Sequence, residues 1–176
     1  IKEYAADVKE KKGFGGTALV YSAQGGHLNI IRYLVEECKI DVNGIYVFGE
    51  TALRSAATEN HLGIVRNLVE EQKADVEAKN NNDETALMCA AAEGHLEMVK
   101  YFIEKQKANV EAKNNNDETA LTYAIEGGNE EVTKYLEDKI KAANKDINLL
   151  LGISRITPAE VQRDGRDGKG LGSMEI

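Results

Sequence analysis

The segment EAKNNNDETAL occurs twice, at residues 77–87 and 111–121, and every letter matches across an offset of 34 residues. The offset extends through the chain, because Thr-Ala-Leu stands at 17–19, 51–53, 85–87 and 119–121. Self-similarity at a fixed period of this size is typical of a solenoid, in which each unit covers the apolar face of its neighbour. The period therefore predicts a stack of four units.

Each unit has the pattern of a helix, a tight turn, a second helix and an extended arm. In the third unit, Thr85 is the expected N-cap of an Ala-rich helix. The second helix places Leu96, Val99 and Phe102 on one face. The polar segment 74–84 contains turn formers and no helical period, so it predicts a hairpin-like arm. We expect left-handed backbone where the first helix stops, at Gly26, Asn60, Gly94 and Gly128.

These units resemble the ankyrin repeat, whose pattern is T-P-L-H-x-A followed by G-H-L and A-D-V-N. The matching segments are TALVYSAQGGHLNIIRYLVEECKIDVN at 17–43 and TALMCAAAEGHLEMVKYFIEKQKANVE at 85–111. The resemblance covers residues 1 to about 165. It implies an all-α repeat fold, an ankyrin-type solenoid of stacked helix-turn-helix units with projecting hairpin loops.

The chain departs from that pattern at several positions. Alanine replaces the proline in all four units, and the histidine that follows becomes Val20, Arg54, Met88 and Thr122. The family's Thr–His tie within the repeat is therefore not expected here. The hairpin glycine is kept at two positions and becomes aspartate at two others: Gly15, Gly49, Asp83 and Asp117.

The register divides the chain into seven segments. Residues 1–13 match the end of a truncated preceding repeat, which predicts that the natural protein continues upstream. Repeats 1 to 4 are 14–47, 48–81, 82–115 and 116–145. A degenerate C-terminal partial repeat follows at 146–165, with a short helix at 155–165, and residues 166–176 form a Gly-rich tail that is disordered or left from expression.

No motif in the sequence predicts catalysis. His27, His61 and His95 occupy the same place in successive units, and stacked helices lie ~8–10 Å apart, whereas zinc holds its ligands at ~2 Å. We therefore expect structural turn histidines and no metal. Cys38 and Cys89 have no metal spacing and are interpreted as buried small residues in a reducing compartment. We expect no enzymatic activity and no cofactor.

Composition restricts the class of partner. The chain has 176 residues and a formal net charge of −8, which argues against nucleic acid or an anionic membrane and mildly favours a protein partner with a basic patch. No apolar run approaches the ~20 residues of a membrane helix, and the N-terminal residues are not a signal peptide. We expect an intracellular, cytoplasmic protein without a small-molecule site.

The resemblance implies that partners bind the hairpin tips and the exposed side of the first helices, which form a concave surface. The tips differ sharply, since repeats 1 and 2 present Phe14 and IYVFGE (45–50) where repeats 3 and 4 present asparagines. The predicted partner-binding residues are Phe14, Tyr21, Tyr46, Phe48, Arg54, Met88 and Tyr123. Alternatively, Phe14 and Phe48 pack on each other between adjacent hairpins. Gln24 and Glu59 are among the other first-helix positions outside the core pattern.

Two functions are consistent with this sequence. The first is a non-catalytic ankyrin-repeat module for protein–protein interaction, which binds its partner through the concave face and the hairpin tips. The alternative is a regulatory or targeting segment of a larger enzyme whose catalytic domain lies outside these residues. The truncated first unit motivates the alternative.

Overall fold

The computed structural model describes residues 12–150, with side chains from 14 to 147. The chain divides into two compact units, Ile1–Lys139 and Ile140–Ile176. The four repeats fall in the first unit, apart from the last residues assigned to repeat 4. Of the second unit, the structure describes residues 140–150, which are helical and mostly exposed where their side chains are described.

Helices follow one another in pairs along the described residues. The first helix of each pair is α1 (Lys12–Gln24), α3 (Ala52–Thr58), α5 (Ala86–Ala92) or α7 (Ala120–Glu126). The second is α2 (Leu28–Arg32), α4 (Leu62–Arg66), α6 (Leu96–Lys100) or α8 (Glu130–Leu150). Three second helices continue as π-helical turns, Tyr33–Glu37, Asn67–Glu71 and Tyr101–Lys105. A 3₁₀ turn, Val47–Gly49, lies at the second hairpin. The all-α repeat architecture predicted from the 34-residue period is confirmed.

Small residues on the first helices let neighbouring repeats approach closely. Ala56, Ala90 and Ala124 are fully buried at 34-residue intervals, and Ser22 occupies the equivalent buried position in the first repeat. The second helices supply the large side chains of the core at the same interval: Leu34, Leu68, Phe102 and Leu136. The apolar stripe of each repeat is thus covered by the next repeat, and this burial is the main stabilising contribution.

Threonine caps begin the first helices of repeats 2 to 4. The hydroxyl of Thr85 accepts a hydrogen bond from the backbone N–H of Met88 at 3.4 Å, and the N–H of Thr85 donates to Met88 Sδ at 3.4 Å. Thr119 makes the same reciprocal pair with Thr122. Where the family's histidine is missing, these side chains therefore close the turn in its place.

Left-handed residues end the first helices, as predicted. The φ angles are 75° at Gly26, 59° at Asn60, 72° at Gly94 and 68° at Gly128. Glycine adopts this conformation without steric cost, and asparagine is the best tolerated alternative. The chain can therefore reverse direction within two residues at each of these sites.

A polar side chain in this turn fastens each repeat to the one before it. Nε2 of His61 donates to the carbonyl oxygen of Gln24 at 2.9 Å, and Nε2 of His95 donates to that of Thr58 at 2.8 Å. In repeat 4, Asn129 replaces the histidine, and its Nδ2 donates to Ala92 O at 2.6 Å. The predicted structural role of these histidines is confirmed at His61 and His95.

The first repeat differs from the prediction, because α1 begins at Lys12. Phe14 and Gly15 are therefore helical, and the expectation that they form a hairpin tip is wrong. The hairpins of repeats 3 and 4 contain an asparagine that closes the turn: Oδ1 of Asn80 accepts from the N–H groups of residues 82 and 84 at 2.9 Å each. Lys12 occupies the equivalent position in the first repeat and Tyr46 in the second, so neither of these repeats has the Asn-centred turn.

The C-terminal end of the repeats also differs. Helix α8 runs unbroken across the predicted boundary between repeat 4 and the degenerate partial repeat at 145/146. In the third repeat the arm starts at Asn109, whose Oδ1 accepts from Glu111 N at 3.0 Å. Ala143 stands at the equivalent position, and it cannot start such a turn. The helix predicted at 155–165, the tail at 166–176 and residues 1–11 lie outside the described residues.

Candidate functional site

A groove of about 440 Å³ lies between α1 and α3 in the first two repeats. Tyr21 and Gln24 of α1 form one wall, and Arg54 of α3 contributes to the other. The tip of the second hairpin, with Phe48, borders one end, and Glu59 lies at the other. The fold therefore brings three of the predicted site residues, Tyr21, Phe48 and Arg54, to one place.

Phe48 combines unusual exposure with an unusual backbone conformation. Its side chain is 87% exposed, so contact with Phe14 does not bury it. Its backbone is left-handed, with φ 55° and ψ 20°. This conformation costs a non-glycine residue about 1–2 kcal/mol, and the equivalent Asn82 and Asn116 of repeats 3 and 4 do not adopt it. The hairpin thus exposes a large apolar side chain to water and also keeps its backbone in an unfavourable conformation.

Tyr46 has a different environment from Phe48, although both belong to the same arm. Its ring packs so closely over Gly16 and Gly44 that a Cβ at either position would overlap it. Its hydroxyl donates to the carbonyl oxygen of Asp41 at 2.7 Å, and burial raises its pKa. Tyr46 therefore fixes the arm against α1, and it does not line the groove.

A polar network runs from the groove into repeats 3 and 4. Arg54 forms ion pairs with Glu50 and with Glu84, the latter at 3.0 Å. The hydroxyl of Tyr123 donates to Glu84 at 2.6 Å and accepts from Asn114 Nδ2 at 3.0 Å. The sequence suggested Arg54 and Tyr123 as partner contacts, but the structure connects them through Glu84.

This network fixes the protonation of its members. Burial would raise the pKa of Glu84, but hydrogen bonds from Tyr123 and Asn80 and the charge of Arg54 hold it below its usual value. Burial and the bond to Glu84 raise the pKa of Tyr123 to about 12. Glu84 is therefore ionised and Tyr123 is a neutral donor at neutral pH. The charge of Arg54 is matched within the protein.

Comparison with known proteins identifies these units. A family model described as ankyrin repeats (3 copies) matches residues 1–80 and 72–149. The chain belongs to the ankyrin repeat family. Ankyrin repeats are generally protein–protein interaction modules and typically non-catalytic. No curated protein sequence matches the chain significantly.

Met88 lies inside the ankyrin stack and is 1% exposed. A partner cannot reach it in this structure, so its prediction as a contact residue is corrected. The sequence placed Met88 on a first helix outside the core pattern, but its sulfur accepts a hydrogen bond that closes the cap with Thr85.

The neighbouring Cys89 is a buried free thiol whose pKa is raised to about 11 by burial, which makes it unreactive at neutral pH.

Phe14 lies on α1 and is 73% exposed, but it does not line the groove. The residues that sequence reasoning left out of its site are Gln24 and Glu59, joined by a hydrogen bond of 3.3 Å between Nε2 and Oε1. Their place outside the core pattern marked them as exposed. No local signal indicated that Gln24 and Glu59 meet in a groove beside Phe48, because the two residues are 35 positions apart in the sequence.

Within residues 12–150, no group of three or more His, Cys, Asp or Glu side chains is arranged to hold a metal ion. The same part of the chain contains no helix that is both long enough and apolar enough to span a membrane.

Proposed function

We propose that this ankyrin-repeat chain is a recognition module that binds a protein partner through the groove of repeats 1 and 2 and the hairpin tip beside it. The observation that carries the proposal is Phe48, which is exposed to water and held in a left-handed conformation. Strained and exposed residues of this kind concentrate at binding sites, where burial by a partner offsets their cost.

The free energy gained when a partner covers Phe48 is large enough to contribute to binding. Covering a phenylalanine side chain contributes roughly 1.5–3 kcal/mol, which is the range expected of an anchor residue at an interface. Tyr21 is 52% exposed and lines the same groove, so it adds a second aromatic surface. The asparagine tips of repeats 3 and 4 offer no comparable apolar area. The centre of the proposed interface therefore lies at repeats 1 and 2.

The experiment compares proteins captured from a lysate of the source cells by the wild-type chain, by Phe48→Asn and by Ile45→Asn. Ile45 is a matched control, since it is a half-exposed apolar residue of the same arm that does not line the groove. We expect a protein that wild type and Ile45→Asn retain and that Phe48→Asn loses. Calorimetric titration of that purified protein should show a loss of about 2 kcal/mol for Phe48→Asn, which is a ~30-fold weaker Kd. Equal retention by all three chains would exclude this site.

A further inference from the structure

We propose that the partner presents an extended segment with an apolar side chain and a lysine or arginine three or more residues from it. This inference rests on the proposed function and specifies the chemistry of the same groove. The apolar side chain lies against Phe48 and Tyr21, and the basic side chain reaches Glu59. The two ends of the groove differ in character, and each end recognises one of these groups.

The charge of the groove favours a cation. Its acidic and basic side chains are Glu50, Arg54 and Glu59. Arg54 already has two carboxylate partners, one of them outside the groove, and its side chain is only 14% exposed. Among the described residues, Glu59 contacts the neutral amide of Gln24, and no cation lies within ion-pair distance of it. A carboxylate has capacity for several further donors, so Glu59 can accept a basic side chain without losing Gln24.

The surface around Glu59 strengthens this preference. Glu59 directly follows α3, where the carbonyl end of the helix adds partial negative charge. The equivalent Glu93 follows α5, and Glu126 ends α7; all three glutamates are exposed. The first helices of the described repeats carry only two basic residues, Lys12 and the paired Arg54. A cationic segment therefore meets attraction along this edge, and an acidic one meets repulsion.

The length of α3 sets a minimum for the spacing of the two groups. Phe48 precedes this helix and Glu59 follows it, and its seven residues span roughly 10 Å at ~1.5 Å per residue. An extended peptide advances ~3.3 Å per residue. At least three residues of an extended partner therefore separate the group at the aromatic end from the group at the acidic end. The groove volume of about 440 Å³ lies in the range of small binding clefts and has room for a single apolar side chain.

The experiment selects a phage-displayed library of random dodecapeptides on the immobilised full chain. Four chains are compared: wild type, Phe48→Asn, Glu59→Gln and Glu93→Gln. Glu93 is the matched control, because it occupies the position of Glu59 one repeat further on and does not line the groove. We expect wild type and Glu93→Gln to enrich peptides with an apolar residue and a Lys or Arg three or more positions away. Glu59→Gln should keep the apolar selection and lose the basic one, and Phe48→Asn should enrich nothing.

Fluorescence polarisation of the best wild-type peptide measures the coupling directly. Replacing its basic residue by norleucine should weaken binding to wild type about threefold to fivefold, as for an exposed ion pair, and should leave binding to Glu59→Gln unchanged.

The outcomes separate this inference from the proposed function. Enrichment that depends on Phe48 but selects no basic residue, or selects acidic ones, overturns the inference and leaves the proposed function standing. Enrichment that is indifferent to Phe48→Asn, or no enrichment on wild type, overturns both.

Discussion

The hydroxyl of Tyr123 in repeat 4 donates a hydrogen bond of 2.6 Å to the carboxylate of Glu84 in repeat 3. The other oxygen of that carboxylate pairs with Arg54 in repeat 2 at 3.0 Å. One side chain thus joins three successive repeats. Because Tyr123 and Arg54 belong to the repeats on either side of it, Glu84 couples the stability of repeats that otherwise contact only their neighbours.

Glu84→Ala should therefore destabilise the chain by about 2 kcal/mol, since it leaves Arg54 with one partner and removes the acceptor of Tyr123 and of Asn80. Urea unfolding followed by circular dichroism measures the loss. The matched control is Glu118→Ala, which removes the equivalent carboxylate of repeat 4, where the partners are amides and no arginine. We expect it to cost under about 1 kcal/mol. Equal losses in the two variants would contradict the coupling.

The stability of the chain should fall at alkaline pH. Burial and hydrogen bonds to glutamates raise the pKa of Tyr101 and of Tyr123 from 10.0 to about 12. The folded state therefore holds each phenolic proton more tightly than the unfolded state does. This contribution is fully present below pH 10 and is lost as the pH rises from 10 towards 12.

The measurement is the urea midpoint between neutral pH and pH 11, with tyrosinate absorbance followed in parallel. In the double variant Tyr101→Phe, Tyr123→Phe the midpoint should fall less steeply, because the two hydroxyls are gone. The same slope in wild type and variant would show that other groups govern the transition.

Asn67→Tyr should stabilise the chain. Asn67 is 5% exposed, and neither polar atom of its side chain has a hydrogen-bond partner. In the next two repeats a tyrosine occupies this position: Tyr101 donates to Glu70 at 2.9 Å and Tyr135 donates to Glu104 at 3.0 Å. The corresponding acceptor for residue 67 is Glu36. Removing two unsatisfied groups and adding one bond should contribute about 1–2 kcal/mol.

Thermal unfolding measures this gain as a higher Tm. Adding Glu36→Gln to Asn67→Tyr is the control for the hydrogen bond, and part of the gain should disappear with it. A Tm at or below that of wild type would mean that the ring does not fit between repeats 1 and 2.

Phe48→Asn should raise the free energy of unfolding by about 0.5–1 kcal/mol, because asparagine tolerates the left-handed conformation better than phenylalanine does. The control Ile45→Asn, on the same arm, should leave it unchanged within about 0.5 kcal/mol. Chemical denaturation of the three purified chains provides the comparison. A stability gain together with the loss of binding would show that the wild-type residue serves recognition; a destabilised Phe48→Asn would show that the phenylalanine supports the fold.

Most of the fold could be predicted because its determinants are local and repeated. Each turn between paired helices needs a residue that tolerates left-handed backbone. The regular spacing of Gly26, Asn60 and Gly94 was enough to predict where these turns lie. The two ends were mispredicted because the register continues there without the residues that start an arm. Lys12, the first residue of α1, replaces the asparagine, and Ala143 replaces the Asx residue within α8.

The candidate site could be predicted only in part, since it depends on contacts between repeats. Tyr46 and Phe48 are both aromatic residues of one arm, and nothing in their sequence context separates them. Gly16, 30 residues earlier, provides the space that Tyr46 fills, and Phe48 is left exposed. Arg54 and Tyr123 were correctly placed on the first helices, but their connection through Glu84 requires the geometry of three repeats.

The ties from His61, His95 and Asn129 to the preceding repeat have a consequence for the history of such a chain. Each of these hydrogen bonds needs only a side-chain donor in the turn of one repeat and a main-chain carbonyl in the preceding repeat. Every repeat supplies that carbonyl, whatever its side chains are. A recombination event that duplicated or deleted one whole period would leave all the remaining ties satisfied. The number of repeats can therefore change in a single genetic step, while the surface of each repeat diversifies separately.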